Sequence, residues 1–214
     1  RSEDDGKTWH SIDGFNNNDN IQKVIKNQSK ELMKYQKLHS ISISPNDRDH
    51  IIIGMAHGGV FESKDYGKHW ECLNYNLSNL EIQNPYRMLN HPLDFNLLFQ
   101  QNQAGIYSMK LGDEKWKHIG KTLDIGDKGF SLCLDPHDVN KLWTFPMEGT
   151  DIWSRICSNG QPAVYCTQNN GKSWYRQDIG FPIWNAWFTI LSPCMVADNL
   201  QNTGLYLGTT SGSI

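Results

Sequence analysis

The 214-residue chain has no long hydrophobic run. Nothing in it approaches the roughly 18 consecutive apolar residues that cross a bilayer, so no membrane span is expected. It also lacks an excess of base: 20 Lys and Arg stand against 23 Asp and Glu, for a net charge of -3. The basic residues are scattered rather than gathered into a field that would hold phosphates, so nucleic acid is not an expected partner. Cysteine is sparse and poorly spaced for chemistry. The five, Cys72, Cys133, Cys157, Cys166 and Cys194, are odd in number and never closer than nine residues, which gives neither a C-x-x-C metal site nor a full disulfide set. Buried reduced thiols are the expectation, with no metal and no cofactor. Arginine is scarce too: Arg1, Arg48, Arg87, Arg155 and Arg176 are all there are. No charged leader followed by an apolar core opens the chain, and its first residue is Arg, so the compartment stays open.

What the chain does have is a repeat. "SEDDGKTW" at 2 to 9 returns as "SKDYGKHW" at 63 to 70 and as "TQNNGKSW" at 167 to 174. A hydroxyl residue, an Asp or Asn two later, a Gly, a Lys and a Trp hold their places: Ser2, Asp4, Gly6 and Trp9; Ser63, Asp65, Gly67 and Trp70; Thr167, Asn169, Gly171 and Trp174. The 104-residue gap between Trp70 and Trp174 invites a hidden copy, and "LGDEKWKHIG" supplies a degenerate one at Trp116. A second marker keeps the same beat. "ISISPNDRDHIIIG" (41 to 54), "MLNHPLDFNLLFQ" (88 to 100) and "LCLDPHDVNKLWTF" (132 to 145) each read as a strand, a turn set by Pro and Asp, and a second strand. "GGVFES", "AGIYSM" and "PAVYCT" then supply third strands, and the Gly-Lys loop reverses the chain into a fourth. Four short antiparallel strands every 45 to 60 residues is the pattern of a propeller blade. In the loop, Asp or Asn accepts backbone hydrogen bonds, Gly reaches positive φ, and Trp packs across the hairpin, so these side chains are read as corner builders rather than catalysts.

With those residues in hand, the repeat resembles the Asp-box, or BNR, repeat of sialidases and related β-propellers. Stretches such as "GMAHGGVFESKDYGKHW", "LLFQQNQAGIYSM" and "PAVYCTQNNGKSWYRQD" are similar in order and spacing to bacterial BNR-repeat proteins labelled glycosyl hydrolase or exo-sialidase-like. The resemblance implies an all-β fold: a β-propeller of four-stranded antiparallel blades with Asp-box hairpins. About three full blades and partial ones are expected, from a parent of six or seven. The expected division is the end of a preceding blade at 1–18, blades at 38–84, 85–128 and 129–182, and a partial blade at 183–214. Residues 19–37 break the blade pattern, and Ile21, Val24, Ile25, Leu32 and Met33 share one helical face, so an inserted amphipathic helix is expected there.

Blade topology sorts the loops. First-to-second and third-to-fourth turns share one end, while second-to-third loops and interblade connections share the other, around the channel where ligand sites of related propellers lie. Candidates at the channel end are therefore Met55, His57 and Gly58; Gln101, Asn102 and Gln103; Glu148, Asp151 and Arg155; Thr209, Thr210 and Ser211; and, on the connections, Arg87, Trp184 and Trp187. The long loop "FPMEGTDIWSRICSNGQ" stands out for two carboxylates, an Arg and an aromatic. Glycoside hydrolysis ordinarily uses two carboxyl groups flanking the scissile bond, which nominates Glu148 and Asp151 as the catalytic pair. Arg155 and Arg87 would bind a carboxylate bidentately, and His57, Gln101, Gln103, Trp184 and Thr210 would line the ligand. The Arg-Ile-Pro signature of sialidases is absent. Two functions remain: glycan hydrolysis or binding at the channel face, or a non-catalytic propeller that binds a protein or peptide, as sortilin-type and photosystem-assembly propellers do.

Overall fold

The computed structural model describes residues 1–26, 37–73, 84–148, 155–191 and 194–214. Its strands gather into three four-stranded antiparallel sheets and one two-stranded sheet, each in chain order. The first is β1 (Lys37–Ile43), β2 (Ile51–Ala56), β3 (Gly59–Ser63) and β4 (Glu71–Cys72). The second is β5 (Arg87–His91), β6 (Asp94–Asn102), β7 (Gly105–Lys110) and β8 (Lys117–His118). The third is β9 (Leu132–Leu134), β10 (Leu142–Thr144), β11 (Val164–Thr167) and β12 (Tyr175–Gln177), and β13 (Met195–Ala197) pairs with β14 (Leu205–Leu207). The first strands of successive sheets touch, β1 with β5, β5 with β9 and β9 with β13, which sets them nearest a common axis.

Stacking of sheets on both faces explains why strands interior to a sheet are buried over long uninterrupted runs. Every residue of β3 and β11 is buried. Successive side chains point to opposite faces, so neighbours in sequence serve different cores. Ile52 and Val60 face the second sheet with Met88, Leu98 and Tyr107, while Ile53 and Phe61 face the other way. Leu98 looks back at the first sheet, and Phe99 looks forward with Ile106 to Leu132 and Leu142 of the third. Phe99, Ile106 and Leu142 are fully buried, each contributing about 1.5–3 kcal/mol relative to exposure.

The outward face of the first sheet is covered by chain that precedes it. Asn18 Oδ1 accepts from the Asn20 and Ile21 amides at 3.0 and 3.2 Å and starts the helix α2 (Asp19–Lys26), which follows the single turn α1 (Asp13–Asn16). Ile21 and Ile25 then bury against Ile53, Phe61 and Trp70, with Ile12 and Phe15 beside them. Of the stretch 19–37, Asp19–Lys26 is helical and Lys37 belongs to β1, while Leu32 and Met33 lie outside the described residues.

The three Gly-Lys loops share one hydrogen-bond plan. The hydroxyl of Ser2, Ser63 or Thr167 accepts from the Gly6, Gly67 or Gly171 amide at 2.8, 2.8 and 2.9 Å. Oδ1 of Asp4, Asp65 or Asn169 accepts from the amide four residues on at 2.8, 2.8 and 2.9 Å. The two residues at each apex have positive φ, Tyr66 and Gly67 at 60° and 86° for example. The indole N–H of Trp9 and Trp70 closes onto the Gly6 and Gly67 carbonyls at 3.0 Å, whereas that of Trp174 reaches across to the Ile119 carbonyl at 3.3 Å.

The 63–70 and 167–174 corners, and the degenerate one at Trp116, are capped by chain that comes before them. Ile119 and Thr122 sit on the corner of the third sheet, with the Thr122 hydroxyl donating to Gly171 O at 2.7 Å. Leu73 packs in the core that holds Trp116, and Ile12 lies against Gly67. Ile12, Leu73 and Ile119 each stand three residues after the Trp of a preceding corner. The Pro-Asp turns lie at this same end: Tyr66 N donates to Asp49 O and Asn170 N to Asn140 O, both at 2.9 Å.

Candidate functional site at the channel mouth

Strand register places the other loops at the opposite end. Lys37 pairs with Ala56 and Met55 with Gly59, while Arg87 pairs with Gln101 and Asn102 with Gly105, so the first strands begin beside the second-to-third loops. Across this end runs a row of rings belonging to three sheets. His39 on β1 meets Tyr86 edge-on with centroids 6.2 Å apart. Tyr86, just before β5, meets Phe130, just before β9, at 4.6 Å, and the Arg155 guanidinium lies 4.6 Å over the Phe130 ring. The last contact is a cation–π pair, which fixes an otherwise floppy side chain over a flat apolar surface.

Backbone irregularities deliver the near end of this row. The β1–β2 register slips between Leu38 and Ser40, so His39 sits at a bulge, the device that re-aims a side chain out of strand alternation. His57 takes the left-handed region at φ 53°, and its amide donates to Oδ1 of the buried Asn84 at 2.7 Å. A β-carbon makes that conformation costly, so it persists because Asn84 holds it. Burial pushes the His57 imidazole down from 6.5, and the neighbouring His39 acts in the same direction. Burial also lowers His39, helped by the Lys37 charge, so both rings are mainly neutral at pH 7. Burial raises the Tyr86 phenol, against the Arg155 charge that lowers it.

Arg87, on the innermost strand of the second sheet, is half-buried, and its Nε is shut away without a hydrogen-bond partner. Burial lowers its pKa, and its charge is felt by Cys133 of the next sheet, whose thiol burial lifts to about 11. Among the described residues neither Arg87 nor Arg155 forms an ion pair with a carboxylate.

The structure thus brings His57 and Arg155 to one face with His39 and Tyr86, and sets Arg87 at the head of the same strand row. Glu148 is exposed on the long loop, where its amide donates to Ile156 O at 2.8 Å and its carboxylate accepts from the Ser158 hydroxyl. Asp151 lies outside the described residues. Gln101 does not reach the face: it is fully buried, and its Nε2 donates to Asp127 O at 3.1 Å and to Thr144 Oγ1 at 2.9 Å, tying the second sheet to the third. Gln103 is half-buried at the tip of the β6–β7 loop. Trp184 is exposed and lines a cleft of about 240 Å³ with Gln161, Pro162 and Arg176, while Trp187 packs against Gly160. The Thr210 amide donates to Thr189 O at 3.0 Å, and the Thr189 hydroxyl donates to Arg155 O.

His39, Asn84, Tyr86 and Phe130 were not among the residues expected at the channel end. A periodic signal was nevertheless present. His39, Tyr86 and Phe130 each stand six residues before the turn prolines Pro45, Pro92 and Pro136. An aromatic ring recurs at the innermost start of every full sheet.

No protein-family model matches the chain, and no curated relative matches it. Solved structures do. An ancestral GH74 enzyme aligns at TM-score 0.61 and 16% identity, covering 83% of this chain and 26% of that one. The GH74 xyloglucanase from Xanthomonas campestris aligns at TM-score 0.51 and 11% identity, covering 80% and 27%. A weaker likeness, TM-score 0.41 at 17% identity over 66% and 42%, is to YCF48 from Cyanidioschyzon merolae. The fold is a β-propeller. The chain spans about a quarter of the length of the GH74 structures, and its sheets are propeller blades. No described helix is long and apolar enough to cross a membrane.

Proposed function

We propose that this is an Asp-box propeller related to glycoside hydrolases, and that it binds a glycan across the channel mouth. The observation that carries the proposal is the ring row: His39, Tyr86, Phe130 and the Arg155 plane follow one another across three blades. Pyranose faces are apolar and stack on such rings, and a row crossing several blades suits successive sugars of a chain rather than a single one. The thrice-repeated corner supports the Asp-box assignment, because its hydroxyl, carboxamide or carboxylate, and indole groups all bond within the corner or to its cap.

Hydrolysis would need a second carboxyl group facing Glu148, and Asp151 is the residue proposed for it. A titration of oligosaccharides of graded length into the protein tests the binding claim. Affinity should rise with length over the first few sugars, and Tyr86→Ala should weaken binding about tenfold, the loss of one ring contact with its buried area. Turnover of chromogenic glycosides that disappears in both Glu148→Gln and Asp151→Asn would add catalysis. A protein that ignores every glycan but captures extended peptides at the same face would replace this function with the peptide-binding one.

A further inference from the structure

The outer rim of the third sheet departs from that of the second at one place. Tyr107 pairs with His118 across β7 and β8 as Tyr165 pairs with Arg176 across β11 and β12, so His118 and Arg176, each two residues after a Trp, hold equivalent positions. In the second sheet the space beside this pair is filled from within the chain. His118 stacks on the Tyr107 ring at 4.5 Å and bonds Asp127 at 2.8 Å, and the Asp127 carboxylate rests on Gly105 and Gly120 so closely that neither could carry a β-carbon. In the third sheet the space stays open, as the cleft of about 240 Å³ between Pro162, Pro182 and Trp184.

The walls of this cleft are held in place. Trp184 is 74% exposed, and Asn185 after it takes the left-handed region at φ 49°. That conformation is kept by the Ala186 amide, which donates to Gly160 O at 2.9 Å, and by the Cys157 thiol, which donates to Ala186 O at 2.9 Å. Arg176 donates to Asp178 Oδ2, the Tyr165 hydroxyl and Gln161 O at 2.8, 3.0 and 3.3 Å. Three acceptors are thus spent on one guanidinium, whose remaining N–H groups, with the Trp184 indole N–H, are left to a ligand. Each hydroxyl of a sugar brings a proton that needs an acceptor. A proline-rich segment brings carbonyls alone, because proline has no N–H and the polyproline II backbone makes no hydrogen bonds of its own.

We propose that this cleft binds a proline-rich segment of a partner polypeptide in the polyproline II form, its rings stacked on Trp184 and its carbonyls accepting from Arg176 and the indole. None of these residues belongs to the ring row, and the proposal does not rest on the glycan function. Trp184, expected from the sequence to line the channel ligand, serves a different one at the rim.

NMR titration of the full chain, with the Trp184 indole N–H assigned by its loss in Trp184→Phe, tests the site. Octaproline should shift that signal saturably and bind about tenfold tighter than a Gly-Ser peptide of the same length, whose unfixed backbone costs more to order. Trp184→Ala should weaken octaproline binding about fivefold or more with the melting temperature unchanged, since the ring is exposed. Arg176→Lys, which keeps the charge and loses the fork, should weaken it by less. Tyr86→Ala should leave it unaltered. Octaproline that does not bind, or that binds Trp184→Ala as well as the parent chain, would overturn the proposal. A neutral xylo-oligosaccharide that shifts the Trp184 indole where octaproline does not would also overturn it, making the cleft a sugar site.

Discussion

At the corner end of the blades, Ser63, Asp65 and Trp70 all bond to their own loop, whereas at the mouth end His39, Tyr86, Phe130 and Arg155 chiefly touch one another across blade boundaries. The Ser63, Asp65 and Trp70 side chains are satisfied within their corner, so they have little left to offer a ligand. The mouth groups are held by backbone irregularity and ring contact, and leave donors and flat faces open. On the function proposed above, the same scaffold separates stability from recognition by some length of strand, and each end should respond to a different kind of substitution.

The largest effect is expected at a corner. Gly171 has φ 80°, and an added β-carbon there would overlap the Ile119 carbonyl. Gly171→Ala should therefore cost about 3 kcal/mol, by backbone strain and by displacement of the cap. Equilibrium urea unfolding would read this, and a loss below about 1 kcal/mol would show that the corner is not the stabilising end.

A smaller effect of opposite sign is expected at the mouth. His57→Gly relieves a left-handed residue whose amide bond to Asn84 needs no side chain, so the melting temperature should rise, by roughly 1 kcal/mol of stability, while ligand affinity falls. Destabilisation together with undiminished binding would contradict the assignment of this strain to recognition.

The smallest effect compares two corners with each other. Hydrogen bonds from the His69 amide and side chain hold the Asp65 carboxyl at about 2, down from 3.8. A depressed carboxylate contributes stability above its unfolded value and loses it as pH falls through the folded one, so the 63–70 corner should loosen between pH 4 and 2. Asn169 does not titrate, so the 167–174 corner should not respond. Amide exchange, corrected for its intrinsic pH dependence, should show the His69 N–H losing protection while the Ser173 N–H keeps it, and Asp65→Asn should abolish the difference.

Much of the fold was legible because its determinants are local. Pro45, Pro92 and Pro136 fix turns, Gly67 and Gly171 mark positive φ, and alternation such as Ile52 against Ile53 assigns faces, all within a few residues of chain. The site was less legible because it is assembled between blades. Gln101 stands where a channel residue was expected, yet one strand position more or less decides whether a side chain meets solvent or the Thr144 hydroxyl next door. Tyr86 and Phe130 acquire meaning only when two blades bring them within 4.6 Å, although their fixed distance from proline is written in the chain.

The caps on the corners have a temporal consequence. Ile12, Leu73 and Ile119 each belong to chain made before the corner they cover. A nascent blade leaving the ribosome therefore meets a cap that already exists, and its hairpin can close as soon as its Trp emerges. Growth of the propeller is in this sense vectorial: each blade templates its successor, and a circular permutation that parted a cap from its corner would reverse that order at one seam without removing a single native contact.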